Sequence, residues 1–326
     1  MRSHTMWDNY PTIQQDLNDV LLIIESNIKI RDKTIERIIK ELIYAGGKLL
    51  RPAYFLLCSQ IGPQYNRDQV LSIAAALEVL HMATLVHDDV IDDAPTRRGQ
   101  ETIQAKLGKN YAVYTGDYLF CLCFKILARH SKDLSNIEFN SSSVERILVG
   151  ELNQMSMHYN TNIDIKQYLK QISGKTAQLF SLSCYLGAEI SEASLYHKRI
   201  SRRIGHNMGM AFQILDDILD YTQGTKCFGK PVLNDVKQGI YSLPLIYAMK
   251  KNREAFRTLL EKGNLLTEDD LSTILSLIHK YNGIQDAQDL ATKYTNKALL
   301  LIEKLPEGSY REDMLLITGS LLNRDL

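Results

Sequence analysis

Net charge is the first thing this chain does without: 38 basic residues meet 38 acidic ones, leaving a formal charge of zero. A balance of that kind leaves no electrostatic footprint for nucleic acid or for an anionic membrane surface, and neither is expected as a partner. Long apolar runs are missing as well. No stretch reads as the ~20 consecutive apolar residues that cross a bilayer, so no membrane span is expected. The opening Met1-Arg2-Ser3-His4-Thr5-Met6 lacks the apolar centre of a secretory leader. Met6 is an alternative start, which would make residues 1–5 a remnant. Cysteine is sparse: Cys58, Cys121, Cys123, Cys184 and Cys227 are an odd number without metal-ligand spacing. They read as reduced thiols of a cytoplasmic protein, mostly in its core, and Cys121 and Cys123 should face different ways along one helix. Alternating strand patterns are absent, and so are the paired Glu-x-x-His motifs of a di-iron bundle.

What is present is helical periodicity almost throughout. It predicts helices over roughly 10–27, 31–44, 50–61, 67–92, 102–107, 111–130, 143–158, 164–173, 175–189, 194–222, 241–250, 252–262, 267–281, 284–304 and 307–323. Gly46-Gly47, Gly62-Pro63, Asn282-Gly283 and Pro306 punctuate them, and Thr267 with Glu268, Asp269 and Asp270 reads as a helix start. Ser135–Ser143, rich in serine and asparagine, reads as a surface loop. No linker divides the chain, so residues 1–326 are expected to form a single all-α domain, a helical bundle around a central cavity.

Two copies of one acidic signature stand out. Asp88-Asp89-Val90-Ile91-Asp92 and Asp216-Asp217-Ile218-Leu219-Asp220 each read DDxxD. On a helix, residues four apart share a face, so each motif aims carboxylates one way from a single turn. Clustered carboxylates repel one another unless a cation sits among them. Hard oxygen ligands suit Mg²⁺, which binds through a few carboxylates and the phosphates of a substrate. Two such turns facing each other would hold a diphosphate through bridging Mg²⁺. Most Asp-Asp pairs lie on solvated faces. Here, however, each motif follows a stretch apolar nearly all round, Ala74–Val86 and Met208–Leu215, as in helices buried in a larger bundle. Buried charge is too costly to be left uncompensated.

Basic residues recur around these motifs. Lys48 and Arg51 follow Gly46-Gly47 at a helix start, where glycine allows close approach and the helix end favours anions. His81 lies two turns before Asp88. Arg97 and Arg98 follow the first motif, Lys175 and Thr176 follow a local break at Ser173-Gly174, and Gln213 lies near Asp216. Thr222–Leu243 is punctuated by Gly224, Gly229, Pro231 and Gly239 and charged by Lys226, Lys230 and Lys237, so it reads as a phosphate-covering lid or as an ordinary long loop. Singly, each basic feature is a solvated surface group, and His81 an ordinary core histidine. Their joint order is the specific observation.

That order resembles the trans-isoprenyl diphosphate synthases over about residues 40–250. The matching pieces are GGKLLRP, LEVLHMATLVHDDVIDDAPTRRG, YTGDYLF, GELNQ, SGKTAQLF, MGMAFQILDDILDY and FGKPVLNDVKQGIYSLPLIYA. Within the family the chain is most similar to the catalytic component II of bacterial two-component heptaprenyl diphosphate synthases. The resemblance implies that Lys48, Arg51, His81 and Arg98 hold the diphosphate of isopentenyl diphosphate. Asp88, Asp92 and Asp216 would ligate Mg²⁺, three ions per site, with Asp220 completing the metal set and Asp89 and Asp217 supporting it. Arg97, Lys175, Thr176, Gln213 and Lys230 would grip the allylic diphosphate, farnesyl or geranylgeranyl, with Lys175 also counted among the catalytic groups. Leu49, Glu101 and Ile240 depart from the family's usual Arg, Pro and Lys at those places, and none of them belongs to this set.

The implied chemistry is ionisation of the allylic C–O bond as charge on the leaving diphosphate is neutralised. The double bond of isopentenyl diphosphate then attacks, and a proton is lost. The growing tail would run beneath the first motif, where Ala83 and Thr84 stand in place of the bulky aromatics of short-chain relatives, so a product longer than farnesyl is expected. Small residues there also suit plain helix packing. The family pairs subunits through helices near the first motif and the Tyr111–Arg129 segment, as a homodimer or with a small regulatory subunit. Terpene cyclases and head-to-head synthases fit less well, lacking need for the second-substrate cations. A non-catalytic subunit would typically lose the acidic motifs, and a geranylgeranyl-length synthase is the alternative within the family.

Overall fold

The computed structural model describes residues 3–45, 47–130, 134–222 and 233–322. They are helical almost throughout, and divide into two compact units: Met1–Ser141 with Ser183–Arg199, and Ser142–Leu182 with Ile200–Leu326.

The first unit is built around α4 (Arg67–Ile91). Asn66 caps it by accepting from the Gln69 amide, and thirteen of its residues are buried, Ala74 to Leu80 without a break. A helix apolar on all sides needs neighbours on all sides. They are α1 (Pro11–Asn27), α3 (Leu50–Cys58) and, along most of its length, α6 (Lys109–His130). Arg67 fastens the start of α4 to α1, placing Nη2 2.6 Å from both Asp16 and Asp19. Gly116 on α6 leaves room for the ring of His87, which stacks on Phe120 and approaches Asp117 at 3.3 Å. A short helix α2 (Lys33–Ile43), capped by Asp32, precedes the loop leading into α3. α5 (Ile103–Leu107) follows α4, and α9 (Gln178–Ile190) belongs to the first unit from Ser183 onward.

The second unit holds most of α7 (Leu134–Met155), α8 (Ile165–Ile172), most of α10 (Leu195–Thr222) and the run α11 (Asn234–Lys237), α12 (Leu243–Lys251), α13 (Glu254–Leu260), α14 (Glu268–Lys280), α15 (Gly283–Ile302) and α16 (Ser309–Leu322). Reciprocal capping boxes start α8 at Asp164 with Gln167 and α14 at Thr267 with Asp270. α12 packs on α15 and α14, and α15 on α16.

Four sequence expectations need correction. Ser135–Ser143 is helical backbone, the first part of α7, because serine and asparagine each cost a helix only a few tenths of a kcal/mol. A two-stranded hairpin exists, Thr96–Arg97 with Gln100–Glu101, too short for any alternating pattern to reveal. α11 is likewise too short for periodicity. Finally, α4 and α6 are each long and apolar enough, by length and composition alone, to cross a bilayer, although no such run was expected. For α4 that composition is the signature of a core helix, with 67% of its most apolar window buried. Cys121 is exposed and Cys123 buried, as two positions on one helix require, while Cys227 lies outside the described residues.

Candidate active site

In the first unit, α4 splits its acidic motif by direction. Asp89 faces inward and is 4% exposed, whereas Asp88 is half-buried and Asp92, the C-cap residue, is exposed. A buried carboxylate demands a partner, and Arg97 supplies it, with Nε donating to Asp89 Oδ1 at 2.7 Å. Burial raises the Asp89 pKa, and the Arg97 charge opposes that rise.

Arg97 is placed by the hairpin. Thr96 pairs with Glu101 and Arg97 with Gln100, so Arg98-Gly99 is the two-residue turn. Both turn residues have positive φ, 51° and 76°, the φ signature of a type I′ turn whose twist suits a hairpin. Glycine takes that conformation without penalty, but for arginine it costs about 1–2 kcal/mol. The turn carries the Arg98 guanidinium against Gly47. A Cβ at Gly47 would lie 2.7 Å from Arg98 Nη1, so any side chain there would displace the guanidinium. Thr102 and Gln104 anchor the far side of the hairpin, both donating to the Ala94 carbonyl.

Arg98 joins a basic cluster. The pKa of His81 is driven well down by burial and then by the charges of Arg51, Arg98 and Arg97, so its imidazole is neutral among three guanidinium groups. Arg51 is itself pushed down to about 10 by burial, opposed by Glu78. Glu78, 7% exposed and one turn before His81, is the internal counter-charge to Arg51 and Arg98. Sequence reasoning missed this residue, although a lone glutamate inside the apolar face of α4 was a legible signal. Lys48 is half-buried beside the cluster, and it and Arg98 both depress the pKa of His4 after burial. Glu78, Asp89, Arg97, Arg98 and Gly47 line a cavity of about 40 Å³ closed by apolar residues of α2. Ala83 has no exposed surface. Thr84 is half-buried, with its hydroxyl donating to the His81 carbonyl.

The second unit repeats the division. Asp216 is exposed, while Asp217 accepts from Tyr168 Oη at 2.6 Å and from Gln213 Nε2 at 2.7 Å. Gln213 in turn accepts from Thr176 Oγ1 at 2.6 Å. Burial carries the Asp217 pKa up to about 7 against the lowering effect of its two donors. Tyr168, buried on α8, went unnoticed in the sequence, because a tyrosine on an amphipathic helix reads as core.

Thr176 stands in a five-residue π-helical segment, Ser173–Ala177, at the predicted helix break. Such bulges accompany functional sites. Glycines brace it from both sides. A Cβ at Gly150 would lie 2.9 Å from Gly174 C and Lys175 N, and one at Gly209 would lie 2.6 Å from Ala177 Cα. The close approach of α7 brings Glu151 to Lys175, Oε2 to Nζ, at 2.9 Å. The returning chain meets α10 where the Leu233 amide donates to the Asp220 carbonyl, and Gly239 (φ 79°) packs on the ring of Tyr159. Lys230, Gly46 and residues 223–232 of the expected lid lie outside the described residues.

The polyprenyl synthetase family model matches residues 32–278. The chain belongs to that family. Polyprenyl synthetases of the trans type are prenyltransferases, and this chain is one of them. It is similar to heptaprenyl diphosphate synthase component 2 of Bacillus subtilis, at 35% identity over 91% of this chain and 86% of that one. Among solved structures it is similar to geranylgeranyl pyrophosphate synthase of Lactobacillus brevis (40% identity, TM-score 0.94, 98% and 99% of the two chains covered). It is also similar to heptaprenyl diphosphate synthase of Staphylococcus aureus (35% identity, TM-score 0.91, 96% and 99% covered). These relatives make the all-α architecture the family's own.

Family members use Mg²⁺, and the donor set here suits it. Asp89 is held by Arg97, and Asp217 by Tyr168 and Gln213; the pairs four residues apart, Asp88 with Asp92 and Asp216 with Asp220, would be the oxygen donors to a hard cation. Among the described residues, no group of three or more His, Cys, Asp or Glu side chains gathers into a closed metal site.

Proposed function

We propose that Asp88 and Asp92 of the first unit and Asp216 and Asp220 of the second hold Mg²⁺ for an allylic diphosphate. In this reading the product is an all-trans polyprenyl diphosphate of heptaprenyl length. When bound, Mg²⁺ neutralises charge on the departing diphosphate. The chain's own residues do the rest. Arg97, Lys175, Thr176 and Gln213 orient the allylic diphosphate, with Lys230 contributing from the expected lid. Lys48, Arg51, His81 and Arg98 fix isopentenyl diphosphate so that its double bond meets the allylic carbon. A neutral His81 donates to an anion without adding a fourth charge to three arginines. The observation that carries this reading is the parallel fastening of the two inner aspartates, Asp89 by Arg97 and Asp217 by Tyr168 and Gln213.

The tail of the growing chain runs past Ala83 and Thr84 in this reading, and deeper walls come from α6. Subunit pairing is supported by the outer face of α6, where Tyr111, Tyr114 and Phe124 are 51%, 75% and 39% exposed. That face would take a second copy or a smaller subunit, as the component numbering of the Bacillus subtilis relative suggests. A product of geranylgeranyl length is the second reading, favoured by the likeness to the Lactobacillus brevis enzyme.

The test is to incubate the purified chain with labelled isopentenyl diphosphate, farnesyl diphosphate and Mg²⁺, and to size the products. Heptaprenyl-length products support the first reading, and arrest at geranylgeranyl supports the second. Absence of product from folded protein, restored by a second subunit, would make this chain one half of the enzyme.

A further inference from the structure

Trp7 is the chain's single tryptophan, and it has no exposed surface. It ends a short 3₁₀ turn, Thr5–Trp7, whose start His4 caps by accepting from the Met6 amide at Nδ1. The turn is tied down on both sides. The Ser3 amide donates to Asn18 Oδ1 on α1 at 2.8 Å, and the Tyr10 amide donates to the Trp7 carbonyl at 2.9 Å. From this base the indole Nε1 donates to the Lys48 carbonyl at 2.8 Å.

The accepting backbone is under strain. Leu49, the next residue, adopts φ 53° as the N-cap of α3, without a side-chain cap of its own. A non-glycine residue is strained there, so surrounding contacts must hold the conformation. Arg51 lies in the first turn of α3, so the path of this backbone sets both cations. Ser3–Trp7 thus bond to α1 and to the Lys48 backbone.

We propose that Trp7 is a positioning residue for isopentenyl diphosphate, its indole N–H fixing the strained Lys48–Leu49 backbone so that Lys48 and Arg51 present their charges together. This rests on the assignment of Lys48 and Arg51 to isopentenyl diphosphate above. The residue touches no substrate and acts through Lys48.

The test uses two replacements of one atom group. Trp7→Phe removes the N–H and part of the ring. Residue-specific incorporation of β-(3-benzothienyl)alanine replaces N–H by sulfur at the same shape, and a chain with one tryptophan is altered at that position alone. Loss of a buried hydrogen bond should raise KM for isopentenyl diphosphate roughly three- to tenfold, with KM for the allylic diphosphate within about twofold of the parent. Trp7 fluorescence should also respond saturably to isopentenyl diphosphate without Mg²⁺. Equal rises in both KM values, or none, in the benzothienyl protein would overturn the proposal. So would an indole emission blind to isopentenyl diphosphate in a chain that condenses it. A parent chain that neither binds nor condenses isopentenyl diphosphate would instead overturn the functional assignment beneath it.

Discussion

Tyr168 and Asp217 share a 2.6 Å hydrogen bond that fixes the middle aspartate of the second acidic motif to a different helix. Removing the phenol should leave Gln213 as the remaining side-chain donor to that carboxylate. Tyr168→Phe is expected to lower stability by about 1–3 kcal/mol, the usual cost of leaving a buried polar group short of a partner. It should also raise the Mg²⁺ concentration needed for half-maximal turnover several-fold. Denaturant melts and Mg²⁺ titrations of the variant check both halves.

Replacing an outer aspartate should act differently. Asp88→Ala removes a carboxylate from a half-buried position, where Asp89 on the same turn is 4% exposed. Turnover is expected to fall by orders of magnitude, with the melting temperature within a few degrees of the parent. Near-normal activity in Mg²⁺ would remove Asp88 from the metal set.

Gly209 is expected to tolerate no side chain. Its Cβ would sit 2.6 Å from Ala177 Cα and 3.1 Å from a carbon of the Phe180 ring, so α10 or the π-helical segment would have to shift. Gly209→Ala should cost about 1–3 kcal/mol despite alanine's better helix propensity. Equilibrium unfolding gives the sign directly, and a gain in stability would show that the segment yields.

Ala83 is fully buried on α4, so Ala83→Tyr must displace its surroundings. A shortened product is expected if the tail runs there. Product sizing against parent enzyme decides it, and an unchanged length would move the tail elsewhere.

Acid should reveal the capping box of α14. Lys262 Nζ lies 2.7 Å from Asp270 Oδ1, and together with the Thr267 amide it lowers the Asp270 pKa to about 2. A depressed carboxylate pKa contributes stability above its unfolded value, and that contribution is lost as pH falls from about 4 toward 2. Asp270→Asn should flatten the melting temperature over that window and leave its slope above about pH 5 unchanged. Melting curves at stepped pH measure this.

Much of this architecture was legible because the long helices advertise themselves. α4 and α10 carry apolar residues at helical spacing up to the acidic turns, and α14 shows its cap in Thr267 and Asp270. Ser135–Ser143 misled because serine and asparagine report weak propensity, which tertiary context overrides. The hairpin at Thr96–Glu101 was invisible because two-residue strands have no period. The acidic and basic motifs were legible as chemistry. Their internal division was not, since three aspartates in DDxxD look alike until Arg97 or Tyr168 selects one. Glu78 and Glu151 escaped notice for a related reason: a counter-charge is recognised only once the cation it faces has a position.

The turn at Arg98-Gly99 sets stability against purpose. By backbone conformation alone, Arg98→Gly is an improvement: φ 51° suits glycine, and the hairpin would close with less strain. A thermostability screen blind to activity would therefore favour the substitution. It would also take one of three guanidinium groups from around His81 and leave Glu78 with Arg51 alone. The strained arginine thus marks a place where selection for a tougher fold and selection for a working enzyme pull in opposite directions.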